Sequence, residues 1–399
     1  MKIGLLAGEA SGDNLAAGLM RQVIAQAAPE EVTFVGVGGP QMCEAGLQSL
    51  ATFDELAVNG FREPILRLPQ LIRLFRRLVR ELDRANLDAF VGVDFNVFNL
   101  LLEKSLKRRG VKTVHYVSPS VYAWRKGRTK TVADSADVLL CLYPFEPSFY
   151  APYDVKAIFV GHPLADAIDL DAGEPRARRQ ARRDLGLPVD GLVLALLPGS
   201  RGSEIKLLLD DFLSAAELFA QHEGVAQLDV VIPCVNEERF QQIQTSLSTG
   251  QASDSRLNIV LHDGNARAPL VACDVALVKS GTSTLESMLL RRAMVVSYRL
   301  GAVSYQLVRR LVRTPYAALP NILHGRAIVP ELMQDAATAT ALAENLSQEL
   351  DKSRQEPEYL AQFGQMHETL KCGADERSAA AVCDLVAGRQ LDAGDSTGD

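Results

Sequence analysis

Apolar and polar positions along this chain follow a strand–loop–helix rhythm from the first residues onward. Ile3–Ala7, Thr33–Val37, Ala89–Val93, Thr113–Val117 and Val138–Leu142 are short apolar runs, each followed by residues that favour turns. Phe159–Val160 reads as an edge strand, and the spacing predicts a helix from about Asn14 to Gln26. Such alternation predicts a doubly wound parallel sheet. Ligands of these sheets sit beyond the carboxyl ends of the strands. The Gly8–Asp13 loop, the Gly38-Gly39 turn and Asp94 all fall at that end.

The pattern breaks at Asp166–Arg183, which is rich first in Asp and then in Arg, and a linker is expected near Ala167–Gly173. It then restarts. Strands are expected at Leu192–Leu197, Leu228–Ile232, Asn258–Leu261, Val275–Val278 and Met294–Tyr298, with helices from Pro175 to Gly186 and from about Ile205 to Gln221. From about Ala337 to Arg389 the pattern is helical. The fold class implied is α/β, with two Rossmann-like doubly wound domains facing across a cleft, followed by C-terminal helices. The expected boundaries are residues 1–168 and 169–356. Residues 357–389 are set apart as C-terminal helices, and 390–399 are expected to be a disordered tail.

One predicted helix stands apart. Leu68, Leu71, Ile72, Phe75, Leu78, Val79 and Leu82 recur at spacings of three and four, and Arg67, Arg73, Arg76, Arg77, Arg80 and Arg84 border the stripe. A basic amphipathic helix of this kind either packs its stripe on a core or lies on an anionic membrane surface.

Composition narrows the function. A chain of 399 residues is too long for one ordinary core, so two domains of roughly 150–200 residues are expected. The formal net charge of −7 argues against bulk nucleic-acid binding. The six cysteines are scattered without a C-x-x-C pair and read as reduced core thiols, not a disulfide frame or zinc site. The apolar start is too short for a secretory signal, and no stretch reaches the ~20 apolar residues that span a bilayer.

The chemistry centres on Val275–Met288, read as a strand, a turn at Ser280-Gly281-Thr282-Ser283 and a helix from Thr284 to Leu290. Amides at the start of that helix lack internal partners and favour a phosphate. Glu286, one turn in, suits ribose hydroxyls. The alternative is a helix capped by Ser280 or Thr282, with Glu286 merely exposed. Arg201 sits in a second Gly/Ser turn, Pro198–Glu204, where a planar guanidinium suits a diphosphate. Asp169-Leu170-Asp171 has the D-x-D form of a metal site but falls in the expected linker, and is rejected as one. His115 and His162 read as structural.

Six motifs occur in order: GEASGD at Gly8–Asp13, HYVSPSVYAW at His115–Trp124, GHP at Gly161–Pro163, LPGSRGSE at Leu197–Glu204, SGTSTLE at Ser280–Glu286 and LPN at Leu319–Asn321. Together they resemble the lipid-A-disaccharide synthase family, bacterial glycosyltransferases of the two-Rossmann GT-B type, over about residues 1–385.

The resemblance implies an inverting, metal-free transfer from UDP-2,3-diacylglucosamine to 2,3-diacylglucosamine 1-phosphate (lipid X), giving a β(1→6) disaccharide 1-phosphate and UDP. It implies no cofactor. It implies a cytoplasmic enzyme, peripheral on the inner membrane, with Leu68–Leu82 facing the membrane or lining an acyl groove, helices in 357–389 packing back on the first domain or on a partner, and the possibility of a homodimer. Arg201, Ser280, Gly281, Thr282, Ser283, Glu286 and Asn321 would hold UDP. Gly8, Glu9, Ser11 and Gly12 would shape the acceptor side. Asp94 would be the base, with Asp88 a fallback. The sequence departs from the family pattern at Val97, where a second carboxylate is expected. Two rivals follow: a UDP-N-acetylglucosamine 2-epimerase on the same architecture, and a non-catalytic UDP-binding membrane adaptor.

Overall fold

The computed structural model describes residues 1–56, 63–120, 127–249, 256–301 and 314–391. They fall into two compact units, 1–166 with 370–391, and Ala167–Thr369.

The first unit is a seven-stranded, all-parallel sheet in the order β3-β2-β1-β4-β5-β6-β7. Its strands are β1 (Lys2–Ala7), β2 (Thr33–Val37), β3 (Leu47–Ser49), β4 (Ala89–Val93), β5 (Lys112–Tyr116), β6 (Val138–Cys141) and β7 (Lys156–Phe159). The helices between them are α1 (Ala10–Ala27), α2 (Pro40–Glu44), α3 (Phe53–Leu56), α4 (Glu63–Arg84), α5 (Asn96–Lys107), α6 (Gly127–Ser135) and α7 (Pro163–Asp166). Strand order reverses between β1 and β4, so the loops after those two strands flank the switch point.

The second unit holds α8 (Pro175–Asp184), β8 (Val193–Leu197), α9 (Gly202–His222), β9 (Leu228–Cys234), α10 (Glu237–Thr249), β10 (Leu257–Asp263), α11 (Arg267–Ala272), β11 (Val275–Lys279), α12 (Thr282–Leu289) and β12 (Ala293–Tyr298). It continues through α13 (Leu319–His324), β13 (Glu331–Met333), α14 (Ala339–Gln355) and α15 (Pro357–Leu370). Its six parallel strands run β10-β9-β8-β11-β12-β13, with the switch point between β8 and β11. Both sheets therefore have the architecture expected of doubly wound units. The central strands are buried from end to end, which is why they read as continuous apolar runs.

The C-terminal helices divide differently from the 357–389 grouping. α15 stays with the second unit, while α16 (Ala374–Ala387) belongs to the first. There Ala379, Ala381 and Val382 join the core with Ala16, Ala17 and Met20 of α1. Polar groups fasten both ends of α16. Asp166 accepts from Gly373 N (2.9 Å) and Ala374 N (2.6 Å), and Lys112 Nζ donates to the carbonyls of Leu385 (2.8 Å) and Val386 (2.9 Å). Residues 392–399, most of the expected tail, lie outside the described residues.

The apolar stripe of α4 splits. Leu74, Leu78, Val79 and Leu82 are buried in a core with Leu6, Val35 and Phe90, as an ordinary packed helix requires. Ile72 is exposed, and Leu71 and Phe75 are half-buried. The side chains of Arg67 and Leu68 lie outside what the structure describes. All six cysteines are free, but Cys43 is exposed and not a core thiol. No described helix is long and apolar enough to cross a membrane.

Candidate functional site

In the second unit the switch point opens into a cavity of about 260 Å³. Leu197 ends β8, Lys279 ends β11, and the segments after both strands supply two walls, Gly199, Ser200, Arg201 and Glu204 on one side and Gly281, Thr282 and Ser283 on the other, with Pro233, Val235 and Ala266 completing the lining. The two glycine-bearing turns, 82 residues apart from Gly199 to Gly281, are thus brought to one hollow by the parallel pairing of β8 with β11.

Helix α12 begins at Thr282 with Gly281 as N-cap and no side-chain cap. Neither Ser280 nor Thr282 fills that role, because the Ser280 hydroxyl donates to Ala317 O (2.9 Å) and its amide to Ser297 O (2.9 Å). The uncapped amides leave the positive end of the helix facing the hollow. Ser280 itself is a hinge pin between strand and loop, not a wall of the cavity.

Arg201 is 76% exposed and stands 3.9 Å from Glu204. Glu204 accepts from Ser200 N (3.2 Å) and Arg201 N (3.3 Å), and its other oxygen pairs with Lys279 Nζ at 3.0 Å. Lys279 also lies 5.2 Å from the centre of the Tyr298 ring. The sequence pattern by itself points to no role for Glu204 or Lys279. Their signal was positional: each stands at the strand end or helix start next to a turn already singled out.

Glu286 is not a wall of the cavity. Its side chain is 14% exposed and lies 3.7 Å from Arg267 Nε. Burial pushes its carboxyl above the usual range, with Arg267 pulling it back. Arg267 opens α11 beside Ala266, which does line the cavity.

Asn321 differs most from expectation. It is fully buried, its Oδ1 accepts from Ile328 N (2.7 Å) and Val329 N (2.9 Å), and its Nδ2 donates to Val329 O (2.9 Å) and Glu331 Oε1 (2.7 Å). All four hydrogen-bonding positions are taken inside the protein. Asn321 is therefore a support for the loop behind α12, not a ligand contact.

In the first unit Asp94 follows β4 at the switch point. Its amide donates to Tyr116 O (2.8 Å), and it adopts a left-handed backbone with φ of 48°. Phe95 (47°) and Val117 (82°) share that region. Three non-glycine residues held there, at the ends of adjacent strands β4 and β5, mark a backbone kept against its preference. Asn99 contributes to this geometry: its Nδ2 donates to the carbonyls of Leu6 (3.2 Å), Val93 (3.1 Å) and Asp94 (2.8 Å), tying the ends of β1 and β4 together. Asp88 lies at the opposite edge, where it accepts from Lys2 N at 2.7 Å, and is not placed to act as a base.

Glu9 and Ser11 are exposed at the start of α1, and Gly12 is buried. Gly8 makes room for a neighbour instead of a ligand, since a Cβ there would overlap the Phe95 ring. Asp13 is buried and accepts from Gly39 N (2.9 Å), Gln41 N (3.0 Å) and Met42 N (3.0 Å), capping α2. His115 is buried against Glu103, Nδ1 to Oε1 at 2.7 Å. His162 accepts from Leu164 N, and burial lowers its pKa to about 4, so the ring is neutral. Val121–Trp124 of the second motif lie outside the described residues. Among the described residues, no group of three or more His, Cys, Asp or Glu is arranged to hold a metal ion.

The model of a family described as Lipid-A-disaccharide synthetase matches residues 3–382. The chain belongs to this family. The lipid-A-disaccharide synthase of Pseudomonas paraeruginosa is 44% identical over 387 residues, 97% of this chain and 98% of that protein. The synthase of Sodalis glossinidius is 44% identical over 384 residues, 96% of this chain and 98% of that one. Among solved structures, a putative UDP-N-acetylglucosamine 2-epimerase from Listeria monocytogenes aligns with a TM-score of 0.63 at 12% identity, covering 98% of each chain. Acinetobacter baumannii MurG aligns with a TM-score of 0.58 at 13% identity, covering 97% of this chain and 99% of that one. These likenesses carry the fold, two Rossmann-like units of the GT-B kind. Membership of the synthase family, at much higher identity, decides between activities on that fold.

Proposed function

We propose that the chain joins UDP-2,3-diacylglucosamine to 2,3-diacylglucosamine 1-phosphate, releasing UDP and inverting the anomeric carbon. One observation carries the reading: within a chain of the synthase family, the 260 Å³ hollow at the second switch point gathers Arg201 and the uncapped amides of α12. That is a grip for a diphosphate. In this reading Gly281, Thr282 and Ser283 receive the phosphates, Arg201 stabilises the charge that grows on departing UDP, and Glu286 with Arg267 stands toward the ribose. Asp94 removes the proton from the acceptor 6-hydroxyl as that oxygen bonds to the donor's anomeric carbon. The bond to the β-phosphate oxygen breaks with its electron pair staying on UDP.

The test is UDP release measured with both lipids, with each alone, and with UDP-N-acetylglucosamine alone. Release that requires both lipids is the expected result. No release with the pair, or epimerisation of UDP-N-acetylglucosamine, would overturn it.

The lipid substrates call for contact with a membrane face. Ile72 (43% exposed), Val97 (76%) and Leu101 (56%) flank the Phe75–Phe98 ring contact on α4 and α5, and Arg73, Arg76 and Arg80 lie on α4 beside them. Apolar residues among arginines suit an anionic bilayer surface. Co-sedimentation should show binding to vesicles rich in phosphatidylglycerol, weakened by Ile72→Glu with Leu101→Glu. Unchanged sedimentation of the double variant would remove this surface from the proposal.

A further inference from the structure

We propose that Lys279 is the second cation of the diphosphate grip, and that Glu204 is the positioning residue that holds it there. This rests on the diphosphate reading of the cavity and goes beyond it in naming the residue that makes the hollow net positive.

Lys279 ends β11 at the cavity wall. Its ammonium is fixed from two sides, 3.0 Å from Glu204 Oε1 and 5.2 Å from the centre of the Tyr298 ring. Its side chain is 18% exposed, against 76% for Arg201. A Cβ built on Gly281 would lie 3.7 Å from Nζ, the nearest atom beyond its two chain neighbours, so the ammonium sits directly beside the turn that opens α12. Of the two cations, Lys279 is the one already in place, and Arg201 the one free to swing.

Charge makes the same point. Arg201 and Lys279 bring two positive charges to the wall and Glu204 one negative, which leaves one positive. With Lys279 neutral the count falls to zero. A nucleoside diphosphate ester carries two negative charges and the departing diphosphate one more. A grip that tightens as charge develops therefore needs the ammonium. One Lys279 donor serves Glu204, and an ammonium has three.

The test is calorimetric titration of the full-length protein with UDP and, separately, with uridine, for wild type, Lys279→Met and Lys279→Arg. Lys279→Met should weaken UDP about tenfold or more and leave uridine within about twofold. Lys279→Arg should recover most of the loss. A purely structural lysine would change both ligands together or neither, and equal UDP affinity in Lys279→Met would overturn the inference. A wild-type protein that binds no UDP would overturn the underlying reading of the cavity as well.

Should Lys279→Met not fold, acetic anhydride labelling of wild-type protein, read by peptide mass spectrometry, settles the matter. Protection of Lys279 by UDP but not by uridine supports the proposal, and equal labelling with both overturns it.

Discussion

Lys279 Nζ lies 3.0 Å from Glu204 Oε1, and the same carboxylate accepts the amides of Ser200 and Arg201. One side chain thereby sets the turn that carries Arg201 and neutralises part of the charge beside it. Glu204→Ala should lose both functions. The expected cost is about 1–3 kcal/mol of stability, since two amides and an ammonium lose their acceptor, together with weaker UDP binding. Urea denaturation and UDP titration measure the two effects. Glu204→Gln, which keeps an acceptor for the amides, should recover most of the stability.

Asp94 combines a left-handed backbone with a place at the switch point of the first unit. Asn tolerates that backbone well and Ala poorly. Asp94→Asn should keep the fold while lowering kcat roughly 10²–10⁴-fold, the range for loss of a positioned base. Donor KM should stay near the wild-type value. Steady-state UDP release decides, and a fully active Asp94→Asn enzyme would eliminate Asp94 as the base.

Asn321 and Arg201 should fail in opposite ways. Asn321→Ala strands a buried set of partners and should destabilise by about 2–4 kcal/mol. Arg201→Ala, at an exposed side chain, should leave the melting temperature nearly unchanged. Its barrier should rise by about 3 kcal/mol, roughly a hundredfold in kcat. Thermal melts paired with single-point activity per folded molecule separate the two outcomes.

Glu146 follows β6 in the first unit, accepts from Tyr143 N at 3.0 Å and is buried. Burial raises its pKa from 4.5 to about 8, against hydrogen bonds from Tyr143, Leu142 and Ser118 that lower it. The folded state therefore holds a proton that the unfolded chain releases between those values. Its stabilising contribution is full below about pH 4.5 and is lost as pH rises toward about 8. Glu146→Gln removes this titration, so its urea midpoint should fall less than that of wild type between about pH 5 and pH 8.5. Parallel curves for the two proteins would contradict the assignment. Asp375, raised to about 6 mainly by burial, acts in the same direction, and His162, lowered to about 4 by burial, in the opposite one. Both cancel in the comparison.

The strands were legible because a central parallel strand is apolar on both faces, and that pattern is local. β7 runs over Lys156–Phe159, earlier than the Phe159–Val160 that the apolar pattern indicates, because an edge strand exposes Lys156 and half-exposes Ala157. The three-residue strands β3 and β13 left too little pattern to see. Site residues on glycine-bearing turns were legible for a similar reason, as a turn after an apolar run announces the carboxyl end of a strand. Asn321 misled because a Pro-Asn pair looks the same whether its amide faces a ligand or the interior.

The sequence by itself determined two doubly wound sheets, the turns at Arg201 and Gly281, and the strand end at Asp94. These follow from periodicity and turn chemistry within a few neighbouring residues. Only the tertiary structure decided that β8 and β11 pair, and hence that Glu204 meets Lys279 across 75 positions. It alone turned Asn321 inward and filled the space at Gly8 with Phe95. Pairing, burial and charge contact depend on residues far apart in the chain, and no local pattern records them.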